Sequence, residues 1–211
     1  RKNEHNPEKM EECMDKMQVS ADHLLALVND VLDMNKLETN QIQEENEPFD
    51  LEVLMREVAV LMNPLLEQNQ ITHRGHRKNI QHTAVKGSPL QLRQIMLNLF
   101  SNAVKYNKPQ GFVDTDVEEL SCDGKTAWYE FRIADTGIGM SKEFLQHIFT
   151  PFSQECSDST RQGTGLGMAI VKSLIDEMQG TIAIESEEGV GSVFTITLPF
   201  EIAAAQPQTE E

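Results

Sequence analysis

Three polar side chains, Asn98, Asn102 and Lys105, stand four and three residues apart in Leu-Arg-Gln-Ile-Met-Leu-Asn-Leu-Phe-Ser-Asn-Ala-Val-Lys-Tyr. On a helix that spacing places them in file on one face, while Leu92, Met96, Leu99 and Ala103 turn toward a core. Two carboxamides and an ammonium so arranged can hold a hydrated magnesium ion through oxygen and a phosphate through nitrogen. Taken alone, the same three residues also suit a solvated helix face.

A second polar centre follows in Trp-Tyr-Glu-Phe-Arg-Ile-Ala-Asp-Thr-Gly-Ile-Gly-Met. Tyr129, Phe131 and Ile133 alternate with polar residues, and Asp135 falls on their parity, so a strand here delivers its carboxylate to the core side. Such a group needs hydrogen-bond donors, and the exocyclic amine of adenine is one; a turn capped by the Asp is the other reading. Gly137 and Gly139 let the backbone approach a flat base closely. Gly163-Thr164-Gly165-Leu166-Gly167 then opens directly into a helix, whose N–H groups and positive end suit phosphate oxygens. A dinucleotide fold would require a strand before these glycines, and a polar loop stands there instead. Gly124-Lys125-Thr126 imitates the end of a Walker motif, but Glu119 occupies the place of its first glycine. His73, His76 and His82 lie among basic and polar residues with no nearby cysteine or carboxylate, which reads as a solvated loop, and no zinc is expected.

Several elements must position these groups. From Met10 to Val31 the apolar residues Met10, Met14, Met17, Ala21, Leu24, Val28 and Val31 repeat at spacings of four and three, with Leu25 and Leu32 widening the stripe. That pattern predicts a long helix of a bundle or coiled coil. Polar residues from Glu38 to Glu47, closed by Pro48, read as a hinge. Leu51 to Leu66 reads as an amphipathic helix, Ile71 to Val85 as irregular or weakly strand-forming, and Pro89 to Tyr106 as a strongly patterned helix. Strands are expected over Phe112 to Leu120 and Thr126 to Ala134, joined at Asp123-Gly124. A polar stretch leads to a helix over Met168 to Met178, with Gly180 at its stop. A last hairpin joins Thr181–Ser186 to Ser192–Leu198. The expected organisation is a bundle-helix segment over 1–46, a folded domain over 47–201 and a disordered tail over 202–211.

The chain of 211 residues carries 18 Lys and Arg against 34 Asp and Glu, a net charge of −16. An acidic balance of this size excludes a nucleic-acid binder. Residues 1–52 hold 14 acids and 5 bases, whereas 68–108 hold no acid and 7 bases. An acid-free stretch in an acidic protein suits an anionic ligand. Three separated cysteines, Cys13, Cys122 and Cys156, form no disulfide or metal framework and fit a reducing cytoplasm. No secretory leader or run of roughly 20 apolar residues is evident, so a cytoplasmic fragment is expected.

Together the segments resemble the histidine kinase branch of the Bergerat-fold (GHKL) ATPases, from about residue 10 to Phe200. Asn98-Leu-Phe-Ser-Asn102-Ala-Val-Lys105-Tyr106 resembles that family's N box and Asp135-Thr-Gly137-Ile-Gly139 its first glycine box. Phe149-Thr-Pro151-Phe152 resembles the F box and Gly163-Thr-Gly165-Leu-Gly167 the second glycine box, all in the family's order. The resemblance implies an α+β fold: a two-layer α/β sandwich, a mixed sheet backed by helices, preceded by the long bundle helix. It implies ATP and Mg2+ as cofactors. Asn98 would ligate the metal, Asn102 and Lys105 would contact phosphates, Tyr106 would lie against adenine and Asp135 would read the adenine amine. Gly163, Thr164, Gly165, Leu166 and Gly167 would wrap the phosphates, Arg161 would pair with the γ-phosphate, and Phe149 and Phe152 would border the nucleotide at a mobile lid over roughly 140–164.

Residues 20–38 resemble the second helix of the family's dimerisation domain, yet none of the six histidines, His23 included, has the surroundings of a phosphoacceptor box. The expected partners are therefore a histidine-bearing dimerisation helix of the same protein, a second copy in a homodimer, and a response-regulator receiver domain, in a protein anchored in the inner or plasma membrane. Gln110-Gly111 replaces a frequent Gly-Gly pair, and Ser88 a frequent Asp. Gyrase- and Hsp90-type relatives carry glutamate where Asn98 stands, and an amide cannot act as their base, which favours transfer over hydrolysis. A non-catalytic nucleotide-binding scaffold and a hydrolytic ATPase are the competing expectations.

Overall fold

The computed structural model describes residues 10, 13, 14, 17, 46–155 and 164–203. Met10, Cys13, Met14 and Met17 are helical, and the three methionines are exposed. The remainder of the expected bundle helix, His23, the hinge over 38–45, Cys156, Arg161, Gly163 and the tail over 204–211 lie outside the described residues.

The chain enters through strand β1 (Glu47–Asp50) and passes directly into helix α1 (Leu51–Gln68). Asp50 makes that abrupt change possible, because its carboxylate accepts the orphan N–H of Val53 at 2.9 Å. Strands β2 (Thr72–Lys78) and β3 (Ala84–Gly87) follow, then helix α2 (Pro89–Lys105). Ser88 caps α2 through Gln91 N, and Pro89 supplies a first-turn residue with no N–H to satisfy. The hairpin β4 (Phe112–Cys122) and β5 (Thr126–Asp135), the short helix α3 (Lys142–Leu145), helix α4 (Gly167–Glu177), and the hairpin β6 (Thr181–Glu187) and β7 (Gly191–Ile202) complete the described elements.

The seven strands form one mixed sheet in the order β1-β3-β7-β5-β4-β2, with β6 added to β7. Among the described strands only β2 on β4 is a parallel pairing. Alternation sets the layers: Ala127, Tyr129, Phe131 and Ile133 of β5 and Phe194, Ile196, Leu198 and Phe200 of β7 are buried on one face. Against it pack Leu54 and Val58 of α1, Leu92, Met96 and Leu99 of α2, and Ile170 and Leu174 of α4. Each fully buried aliphatic side chain in this layer contributes about 1.5–3 kcal/mol relative to exposure. The result is the two-layer α/β sandwich that the motifs imply.

The region from Ile71 to Val85 is more regular than its sequence indicates. Strand β2 reads Thr-His-Arg-Gly-His-Arg-Lys, with no apolar alternation, because it lies at the sheet edge with most of its residues exposed. Charged residues on an edge strand also discourage pairing with other chains. At the other end of the chain β7 continues past Leu198 to Ile202, and Ala203 N donates to Ala84 O. The stop of α4 is likewise shifted: Gln179 takes the left-handed φ of 57°. Gly180 instead supplies room, since a Cβ there would meet Leu198 Cδ2 at 2.4 Å and Thr197 O at 2.6 Å.

Candidate functional site

Helix α2 forms the wall of the site. Its apolar face is seated in the core, so Asn98, Asn102 and Lys105 emerge half-buried on another face. Asn98 Nδ2 donates to Gln94 O at 3.0 Å, which fixes the carboxamide and directs Oδ1 toward Gly167. A Cβ on Gly167 would lie 3.0 Å from that oxygen. Asn102 Nδ2 reaches Met168 Sδ at 3.6 Å, one residue further into α4. The amide face of α2 thus meets the start of α4, which carries no side-chain cap at its N-terminus. Uncapped first-turn N–H groups beside two carboxamides form a polar wall suited to an anion and a hard cation. The carboxamide oxygen of Asn98 is of the donor type magnesium prefers.

At the C-terminal end of α2, Lys105 Nζ stands 5.0 Å from the centroid of the Tyr106 ring. Burial lowers the pKa of this ammonium, so its charge is poorly compensated within the described chain and favours an anionic partner. Immediately beyond, Tyr106 O accepts from Ile138 N at 3.0 Å, and a Cβ on Gly137 would stand 2.4 Å from the same oxygen. Gly137 therefore brings the Asp135 turn against the helix end. Gly139 performs the matching task on the far side: at φ 65°, a Cβ there would stand 1.9 Å from Glu187 O.

Asp135 ends β5 at the floor of this corner. Burial pushes its carboxyl up to about 6, against opposing hydrogen bonds from the backbone N–H groups of Gly137 and Ser192. Of the two readings open at the sequence level, the turn cap is formed: Oδ1 accepts Gly137 N at 2.8 Å, while the group stays largely desolvated. A carboxylate in that condition gains from an added N–H donor.

The remaining expected residues are divided. Gly165, at φ 73°, lies under Phe152, whose N donates to Gly165 O at 2.9 Å. Phe152 is 65% exposed, whereas Phe149 packs against the core. Thr164 Oγ1 accepts from Leu166 N at 3.2 Å, and the Leu166 side chain is buried. Arg161 and Gly163 lie outside the described residues.

Sequence reasoning missed a structural anchor at the other end of the β4–β5 pairing, where Glu119 stands opposite Tyr129. His82, expected without a carboxylate partner, places Nδ1 2.7 Å from Glu119 Oε1, and Glu119 Oε2 accepts Gln81 N at 2.6 Å and His82 N at 3.0 Å. Desolvation pushes the buried Glu119 carboxyl up, but the bonds from His82 and the two backbone N–H groups outweigh it and hold it below the usual range. Tyr129 adds a hydrogen bond from its hydroxyl to His82 O. The partner stands 37 residues along the chain, beyond any local signal. Glu119 does fall on the buried parity of β4, which is the one clue the sequence offered. His73 is also held, with Nε2 2.8 Å from Thr115 Oγ1 and its ring against Phe100.

Comparison with known proteins agrees with this geometry. Residues 87–202 match the family model described as histidine kinase-, DNA gyrase B-, and HSP90-like ATPase. The chain is 36% identical to the sensor protein GacS of Pseudomonas syringae pv. syringae over 181 residues, covering 85% of this chain and 20% of that protein. It is 32% identical to the sensor histidine kinase RcsC of Salmonella typhimurium over 195 residues, covering 92% of this chain and 20% of that one. The chain thus spans about a fifth of the length of these relatives. Among solved structures, full-length ShkA in complex with AMPPNP superimposes with a TM-score of 0.76 at 34% identity, covering 93% of this chain and 40% of ShkA. The catalytic domain of the histidine kinase ThkA does so with a TM-score of 0.62 at 26% identity, over 74% of this chain and 95% of that domain. No helix among the described residues is long and apolar enough to cross a membrane. The chain belongs to the family of histidine kinase-, DNA gyrase B-, and HSP90-like ATPases.

Proposed function

We propose that this chain is the ATP-binding catalytic part of a sensor histidine kinase, and that the full protein moves the γ-phosphate of ATP to a histidine on its dimerisation bundle. The observation that carries the reading is the approach of Asn98 Oδ1 to Gly167, which brings the amide face of α2 to the start of the phosphate-loop helix. In this reading Asp135 accepts the adenine amine, Tyr106 borders the base, and Lys105 and Asn102 bind phosphate oxygens. Gly165, Leu166 and Gly167 offer backbone N–H groups to the same oxygens, with Gly163, Thr164 and Arg161 on the lid side. Asn98 would hold Mg2+, which when bound neutralises the charge of the transferring phosphoryl group.

Phosphoryl transfer needs alignment and charge neutralisation more than covalent help, so amides, an ammonium and N–H groups suffice. Asn98 cannot take a proton from water, which favours a protein nucleophile over hydrolysis. The names of the similar proteins, a sensor protein, a sensor histidine kinase and an AMPPNP complex, support the reading. Its partners are a histidine-bearing helix of the same homodimeric protein and a response-regulator receiver domain, at the cytoplasmic face of the membrane in which the full protein is anchored.

The test is to incubate the full protein with magnesium and γ-labelled ATP. Label that is lost in acid but retained in alkali, and that disappears in Asn98→Ala, is the expected result. A full protein that binds ATP yet acquires no such label contradicts transfer and favours the scaffold reading.

A further inference from the structure

Asn107 stands just past the last residue of α2 and is buried, with 5% of its surface exposed. Its carboxamide uses every hydrogen-bonding position that it has. Nδ2 donates to Ala103 O and to Phe112 O, each at 3.0 Å, while Oδ1 accepts Lys108 N at 3.0 Å and Thr136 Oγ1 at 3.2 Å. Only a primary amide of this length presents two donors and a double acceptor at once; an aspartate would turn acceptor oxygens toward two carbonyls, and a threonine reaches too few partners.

The fourth of these bonds joins two parts of the site that the chain itself keeps far apart. Thr136 follows Asp135 directly, and its hydroxyl donates to Asn107 while accepting Phe112 N at 2.9 Å. Phe112 O in turn accepts Thr136 N at 3.2 Å. The hydroxyl spends its one proton on Asn107 and accepts from Phe112, so it holds the Asp135 turn in place rather than donating to a ligand. Gly111 leaves the space: a Cβ there would stand 2.2 Å from Asn107 Oδ1 and 2.8 Å from Thr136 Oγ1.

We infer that Asn107 and Thr136, with Gly111 clearing room for them, are positioning residues that lock Asp135 to the end of the Asn98–Lys105 helix and thereby set the selectivity of the site for the adenine amine. The inference rests on the reading of Asp135 as the group that accepts that amine. A carboxylate free to swing loses directional preference for one donor, and displacements near 1 Å are enough to cost large factors in binding and catalysis.

The experiment compares ATP with inosine triphosphate, which carries a keto oxygen in place of the amine, by calorimetry on the native chain, Thr136→Val and Thr136→Ser, with melting curves for each. Thr136→Val keeps the shape and removes the hydroxyl, and the expected result is a loss of about tenfold or more in ATP affinity with the ATP preference largely gone. Thr136→Ser restores the hydroxyl and should restore the preference. A purely structural role would lower the melting temperature and leave the ATP preference of the folded fraction intact, and that outcome overturns the inference. If Thr136→Val does not fold, Asn107→Asp, which keeps the acceptor for Thr136 and loses both donors, carries the same expectation and the same refutation. A native chain that binds both nucleotides alike, or neither, overturns the adenine reading of Asp135 and this inference with it.

Discussion

Asn98 Oδ1 and Gly167 are packed so closely that a methyl group on the glycine would stand 3.0 Å from the oxygen. These residues are distant in sequence, and their contact is where the metal-binding amide and the phosphate loop of the proposed site meet.

Gly167→Ala tests that contact. Gly167 has a backbone conformation that alanine can adopt, and alanine restricts the unfolded chain by about 0.4–1 kcal/mol, so melting temperature should hold or rise slightly. The added carbon must displace Asn98 or the loop, and Mg-ATP affinity should fall by about tenfold, a loss of roughly 1.4 kcal/mol. Calorimetry beside a thermal melt separates the two effects; unchanged affinity would show that the pair does not touch the nucleotide.

The raised carboxyl of Asp135 gives the site a pH signature. With a folded value of about 6 against an ordinary value of 3.8, the folded chain without nucleotide holds its proton more tightly than the unfolded chain does. Stability without nucleotide should therefore decline as pH rises from about 4 to about 6. ATP affinity should move the opposite way, rising through about 6 as the carboxylate forms and levelling above it. Asp135→Asn should abolish both dependences, read by melts and titrations from about pH 4 to about pH 8.

Glycines with positive φ separate strain from close contact. Gly124, at φ 91°, has no atom within 4 Å of the position a Cβ would take, so Gly124→Ala should cost only the backbone strain of about 1–2 kcal/mol. At Gly139, with φ 65°, a Cβ would stand 1.9 Å from Glu187 O, a backbone atom that cannot rotate away. Gly139→Ala should cost several kcal/mol, on the order of 3 or more, or prevent folding. Denaturant melts of the two variants give the comparison directly, and equal costs would contradict the close approach of the first glycine box to the β6–β7 turn.

The elements that carry the proposed site were legible because they have local signatures. The helix of Asn98, Asn102 and Lys105 announces itself through Leu92, Met96, Leu99 and Ala103, and β5 through the alternation that ends on Asp135. What escaped depends on partners remote in sequence. Strand β2 has no apolar alternation, because an edge strand has little to bury, and its place is fixed by a register with β4 that pairs Thr72 with Phe112. Asn107 resembles an ordinary turn residue until its four bonds are seen together. Gln110 shows the same limit, adopting φ 61° where glycine is the usual occupant of left-handed backbone.

The Glu119 anchor predicts a loss away from the nucleotide. Glu119→Ala leaves the N–H groups of Gln81 and His82 without their acceptor and should destabilise the chain by about 2–4 kcal/mol. Because the folded carboxyl lies below its ordinary value, its contribution is present above about pH 4.5 and is lost as pH falls through the folded value. The gap between melts of the native chain and Glu119→Ala should therefore narrow in acid, and a constant gap would contradict the anchor.

Calorimetric titration of ATP, with and without magnesium, into the native chain and Asp135→Asn tests the central claim most directly. Micromolar-range binding that strengthens with magnesium and drops by about tenfold or more in Asp135→Asn is the predicted result. Binding that Asp135→Asn leaves unchanged, or no binding by a folded native chain, would contradict an adenine site built on Asp135 and the Asn98 helix.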